Sequence, residues 1–288
     1  MRVGRIPYIN CYPVYGAIDR GIVSLHAELV DGVPTELNHQ MASGALDVSV
    51  ISAVEYARDA TRYLLLPDLA ISCDGPVRSV VLFSKRPASE LTGRRVLVSK
   101  SSMTSVVLLE LLFENVWDAR PTFVPANAEI SDVEQFGDEE HDARLVIGDA
   151  ALLLWSRLRD QRVPNAGGAP GLHGYRYAYD LGATWKDWTG LPFVFAVWVA
   201  LRTTPVAESL GVHAELNESR NWGLQHLDQL AAQAALATGV KKHVCHEYLS
   251  GLDYGLSYQH LAGLTEFFRR LVAAGRVPNG SLSFLPAA

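Results

Sequence analysis

LPFVFAVWVALR, residues 191–202, is apolar at almost every position and rich in β-branched and aromatic side chains. It does not alternate, so both faces of this strand must be covered, as inside a sheet flanked by helices. Thr189 and Gly190 break the chain just before it. VRSVVLFSK, residues 77–85, has the same character and follows the turn CDGP at 73–76. The two runs flank the middle of the chain, which reads as an α/β unit of its own. They are expected to be two crossings between lobes. On that reading lobe one is 1–83 plus 198–288 and lobe two is 84–197. A ligand then lies in the cleft where strand ends and helix starts converge.

Outward from these strands the pattern alternates. Strands are expected at 1–6, 26–31, 46–52 (LDVSVIS), 63–72 and 94–99 (RRVLVS). Helices follow from about Val14, at 35–43 with Thr35 as N-cap, and after Ser52. RLVIGDAALLLWSRL, 144–158, is a strand, a Gly148–Asp149 turn and a helix. Residues from about 206 to 275 are helical in pattern. The class is α/β with two lobes.

The chain has 288 residues, 49% hydrophobic, with net charge −6. That is ample for a packed core without a disulfide scaffold. No stretch gathers Lys and Arg on one face, so nucleic acid is not an expected partner. No apolar run approaches the roughly 20 residues of a membrane span, and MRVGRIPYIN lacks the features of a secretory signal. The cytoplasm is the expected compartment. Cys11, Cys73 and Cys245, odd in number and widely spaced, suit reduced thiols there. No GxGxxG fingerprint or Gly-x-Ser-x-Gly elbow occurs, and no cofactor is expected.

The strongest chemical signal is Ser101-Ser102-Met103-Thr104-Ser105, between a buried-type strand and a strongly apolar helix. A helix start lined with hydroxyls reads equally as an anion site or an ordinary N-cap. Asn10 follows a strand and can donate and accept at once, as a turn residue also does. Ser52 ends a strand in the same topological position, and Ser79 is a hydroxyl among apolar neighbours that needs a partner. Asp149 reads best as a helix cap. His243, Cys245 and His246 lack zinc spacing, so no metal is expected. Glu139, Glu140, His141 and Asp142 read as a solvated loop, Cys11 as a buried thiol, and NAGGAPGLHG (165–174) as a surface loop or hairpin.

Several stretches taken together resemble the chorismate dehydratase family of futalosine-pathway menaquinone biosynthesis. They are GRIPYIN (4–10), VPTELN (33–38), LDVSVISAVEYA (46–57), LLPDLAIS (65–72), GPVRSVVLFSK (75–85), SSMTSV (101–106), LVIGDAAL (145–152) and YDLGATWKDWTGLPFVFAVW (179–198). The resemblance implies a type 2 periplasmic-binding-protein-like fold used as a carbon–oxygen lyase. The implied hydro-lyase eliminates water from chorismate, giving 3-[(1-carboxyvinyl)oxy]benzoate. It implies Asn10 and Ser79 as catalytic residues and Ser52, Ser102, Thr104 and Ser105 as substrate binders. Asn10 would orient the enolpyruvyl carboxylate or the leaving hydroxyl, and Ser79 would donate to the other. Cys11 departs from the small or hydroxyl residue expected there. The implied partner is chorismate, with no cofactor, metal, nucleic acid or membrane; a homodimer is left open. Two alternatives stand beside this reading. One is a non-catalytic cytoplasmic carboxylate-binding protein. The other is the sister 1,4-dihydroxy-6-naphthoate synthase, expected to carry a His where this chain has Ile147-Gly148-Asp149-Ala150.

Overall fold

A computed structural model of the chain describes residues 1–136, 139–161 and 172–286. The chain opens with β1 (Arg2–Arg5), a 3-10 turn at Ile9–Cys11, α1 (Tyr12–Asp19), β2 (Glu28–Asp31), α2 (Pro34–Ser43), β3 (Val48–Ser52), α3 (Ala53–Arg58) and β4 (Tyr63–Cys73). It continues with β5 (Val80–Ser84), β6 (Arg95–Ser99), α4 (Thr104–Asn115), β7 (Thr122–Ala126), β8 (Ala143–Ile147), α5 (Gly148–Gln161), β9 (Tyr177–Asp180) and α6 (Leu181–Thr189). It closes with β10 (Phe193–Leu201), α7 (Val206–Gln225), α8 (Leu227–Thr238), α9 (Lys242–Ser250) and α10 (Tyr258–Ala273).

Two five-stranded sheets result, ordered β2-β1-β3-β10-β4 and β7-β6-β8-β5-β9. In each, four strands run in one direction and the strand laid down just after a passage between lobes runs antiparallel to its two neighbours. That strand is β5 in the second sheet and β10 in the first. Both are long apolar runs because both sit inside a sheet with two covered faces.

The two sheets move the expected lobe limits. β5 pairs wholly within the second sheet and β10 wholly within the first. Limits at 83/84 and 197/198 therefore fall inside strands. The chain passes between sheets at 74–79 and again at 190–192. Hydropathy reports that both faces of a strand are covered, not which sheet covers them. The edge strands β7 and β9 were not anticipated from sequence. They are short and half-exposed, and β7 carries Pro125, which edge positions tolerate. Thr35 does not cap α2: Pro34 takes the first helical turn, and Val33 precedes it.

The C-terminal helices back onto lobe one. α7 approaches α1 so closely that a Cβ at Gly223 would lie 2.1 Å from the Pro13 carbonyl oxygen. Tyr15 and Trp198 are fully buried, and Trp198 Nε1 donates to Tyr15 Oη at 3.0 Å. Each such aromatic contributes about 2–3 kcal/mol of apolar burial. They hold β10 rigidly against α1, and β10 floors the cleft.

Candidate active site

Between the sheets lies a hollow that is partly open to solvent. All six residues singled out from sequence line it: Asn10, Ser52, Ser79, Ser102, Thr104 and Ser105. Asn10 comes from the 3-10 turn after β1, and Ser52 from the end of β3 as N-cap of α3. Ser102, Thr104 and Ser105 come from the start of α4. Ser79 comes from the passage into lobe two. Sequence reasoning did not select Tyr8, Phe195, Ala196 and Gly148, which complete the polar and apolar walls. Gly148 has φ +62°, and a Cβ there would press on the Tyr8 ring at 3.0 Å. Only glycine both makes that turn and leaves Tyr8 its place.

Among the described residues, those lining it include no Lys, Arg, His, Asp or Glu. Recognition therefore depends on neutral groups, and their hydrogen bonds have a common direction. Ser52 Oγ accepts from Asn38 Nδ2 and from Glu55 N–H, both at 3.1 Å. Ser79 Oγ accepts from Tyr248 Oη at 2.8 Å. Ser102 Oγ accepts from Ser105 N–H and Thr104 Oγ1 from Val54 N–H, both at 3.2 Å. Each oxygen is fixed by a protein donor, while its hydrogen has no protein acceptor among the described residues. Four hydroxyl hydrogens are thus free for the hollow. Asn10 Oδ1 is the reverse: a buried acceptor without a donor. A guest with several acceptors and at least one donor satisfies this wall.

Several bonds clasp the lobes around the hollow. Tyr8 Oη donates to Glu129 at 3.0 Å, and Ser101 Oγ donates to the same carboxylate at 2.6 Å. Ser101 thus braces the 101–105 turn from behind and does not line the hollow. Asp149, expected to cap its own helix, accepts Ile9 N–H at 3.1 Å across the cleft. The residue keeps some exposure, yet its carboxyl is desolvated and lies near Glu129; its pKa is pushed up to about 7. Burial and Glu129 likewise push the Tyr8 phenol up, keeping it protonated. Arg276 bridges from the C-terminal segment to Glu110 and Glu114 on α4.

A family model described as menaquinone biosynthesis matches residues 1–273. A chorismate dehydratase of Thermus thermophilus is 32% identical over 265 residues, 92% of each chain. The chain belongs to the menaquinone-biosynthesis family. A Campylobacter jejuni chorismate dehydratase is 27% identical over 200 residues, 68% of this chain and 66% of that one. Among solved structures, a protein of Archaeoglobus fulgidus superposes with TM-score 0.73 at 20% identity, covering 96% of this chain and 98% of that one. The alkanesulfonate-binding protein SsuA of Xanthomonas axonopodis gives 0.66 at 15% identity, covering 98% and 95%. Both show the fold: two lobes of the periplasmic-binding-protein kind.

Other candidates from sequence sit elsewhere in this family member. Cys11 is buried, and burial pushes its thiol well up, so it offers no thiolate. His243 is exposed and Cys245 buried, so they face different surroundings. The 139–142 run is not simply solvated. His141 is buried, its Nε2 is 2.7 Å from Tyr175 Oη, and Glu139 pairs with Arg95. Residues 165–171 of the glycine-rich stretch lie outside the described residues. A larger hollow of about 1080 Å³ opens between α3, α10 and the C-terminal segment. Aromatic and aliphatic side chains dominate its wall, and Arg269 there is paired with Glu266. It lacks the convergent polar groups that mark the cleft.

Proposed function

We propose that this chain is a chorismate dehydratase, a hydro-lyase converting chorismate to 3-[(1-carboxyvinyl)oxy]benzoate and water. One observation carries the reading: the cleft offers four oriented hydroxyl hydrogens and one unpartnered amide oxygen, with no charged lining residue. Chorismate brings two carboxylates and one alcohol, the complement of that wall. Ser102, Thr104, Ser105 and Ser52 take the carboxylate oxygens as neutral donors, aided by the start of α4.

Asn10 Oδ1 accepts from the C4 hydroxyl, and Ser79 donates to the same oxygen. As the C4–O bond breaks, charge grows on that oxygen and the Ser79 bond strengthens, so the donation favours the transition state over the ground state. No lining side chain is a free base. The substrate's enolpyruvyl carboxylate, held close to the ring, takes the C3 proton. The C3–H pair becomes the new C3–C4 double bond, the C4–O bond breaks and the ring becomes benzenoid; the departing hydroxide takes the proton held by the carboxyl and leaves as water. Holding the side chain in this pose also opposes its rearrangement. No cofactor or metal enters this reading. The cytoplasm is the proposed compartment; the three cysteines are unpaired and buried, and no helix among the described residues is long and apolar enough to cross a membrane.

Incubating the protein with chorismate and following the aromatic product by chromatography tests the proposal. Stoichiometric conversion of chorismate by catalytic amounts of protein is expected. Tight binding without product would favour a carboxylate receptor.

A further inference from the structure

We propose that Tyr248 is a positioning residue for the dehydration: its phenol fixes the Ser79 oxygen so that the Ser79 hydrogen points to the leaving hydroxyl. This rests on the reading of the chain as a chorismate dehydratase. Tyr248 lies on α9, behind the cleft wall and far along the chain from Ser79, and is 1% exposed. Its hydroxyl meets Ser79 Oγ at 2.8 Å. A serine carries one hydrogen. With its oxygen engaged by Tyr248 and no acceptor for it among the described residues, that hydrogen is directed into the hollow.

The contact belongs to a two-residue docking. Arg78 Nη1 donates to the Glu247 carbonyl at 3.0 Å, so residues 78 and 79 are seated on residues 247 and 248 of α9. Arg78 has φ +61°, an unfavourable backbone for a residue with a side chain. Asp180 holds it there by accepting the N–H groups of Val77 at 3.0 Å and Arg78 at 2.6 Å. From the other side Gly148 N–H donates to the Ser79 carbonyl at 2.7 Å. Ser79 is therefore fixed by its backbone and by its hydroxyl oxygen.

Tyr248 is suited to donate and unsuited to give up its proton. Burial pushes the phenol well up, and Asp149, Cys11 and Cys73 add to this. It remains a neutral donor throughout turnover. An O–H that itself receives a hydrogen bond is a stronger donor, so Tyr248 sharpens Ser79 without touching the substrate.

The test is a double-mutant cycle of Tyr248→Phe and Ser79→Ala, measuring kcat, KM for chorismate and melting temperature. The phenylalanine keeps the ring and removes only the hydroxyl. In the wild-type background kcat falls about tenfold, because Ser79 is no longer held to donate to the oxygen developing charge. KM stays within about twofold. In the Ser79→Ala background the same change has no further effect on kcat. An unchanged kcat in Tyr248→Phe, or the same fold loss in both backgrounds, overturns the proposal. So does a lowered melting temperature with kcat per folded molecule intact. If the wild-type chain itself forms no aromatic product, the dehydratase reading fails, and the role of Tyr248 in it fails too. If the wild type turns over and the cycle is additive, Tyr248 alone is misassigned.

Discussion

Ser72 and Ser79 are both almost wholly buried and point their hydrogens in opposite ways. Ser72 Oγ donates to the Asp253 carbonyl at 3.1 Å, while Ser79 Oγ receives from Tyr248. The same division separates several other described hydroxyls. Ser84, Ser209 and Thr238 donate to backbone carbonyls in the packed layers. Ser52, Ser102 and Thr104 on the cleft wall accept from protein donors. A buried hydroxyl costs stability unless paired. In the layers both requirements are met by backbone. On the wall the oxygen is anchored and the hydrogen is kept for a guest. At these positions the direction of the bond, more than burial or residue type, separates the hydroxyls of the layers from those of the wall; Ser99, which accepts Ser101 N–H outside the lining, is an exception.

The sharpest way to break this contrast is at the acceptor. Asn10→Ala removes the unpartnered Oδ1, and kcat/KM for chorismate should fall on the order of a hundredfold or more, with the melting temperature nearly unchanged. A loss below about threefold would mean that Asn10 does not meet the reacting hydroxyl. Ser105→Ala is the next largest. Its hydroxyl has no hydrogen-bond partner among the described residues, so KM should rise about tenfold while kcat is retained, as for a contact made equally in ground and transition states. A fall in kcat with KM unchanged would move Ser105 from carboxylate binding to chemistry.

The clasp gives a pH test. The Asp149 pKa of about 7 exceeds the roughly 3.9 of an exposed aspartate. The folded chain thus holds a proton that the unfolded chain has lost. That contribution is complete below about pH 4 and is lost as pH rises through about 7. Asp149→Asn still accepts Ile9 N–H but has no such slope. Melting curves from pH 4 to 8 should show the wild type losing several degrees relative to this variant. Parallel slopes would mean that Asp149 is ionised throughout. The smallest effect on activity belongs to the control. Ser72→Ala should cost about 1 kcal/mol of stability, seen as a few degrees of melting temperature, with kcat/KM within about twofold.

The sequence by itself determined the local alternation of strand and helix, because burial on one or two faces leaves a period that neighbours in the chain record. It also marked Asn10, Ser52, Ser79 and the 101–105 turn, since polar side chains at strand ends and helix starts stand out against apolar runs. Tertiary structure alone decided which sheet β5 and β10 join, and so where the lobes divide. It decided that Asp149 serves Ile9 across the cleft and that Tyr248 serves Ser79 from the far end of the chain. Sheet partnership and hydrogen-bond direction are set by groups distant in sequence, and a hydroxyl's own neighbours carry no record of which distant atom claims its oxygen.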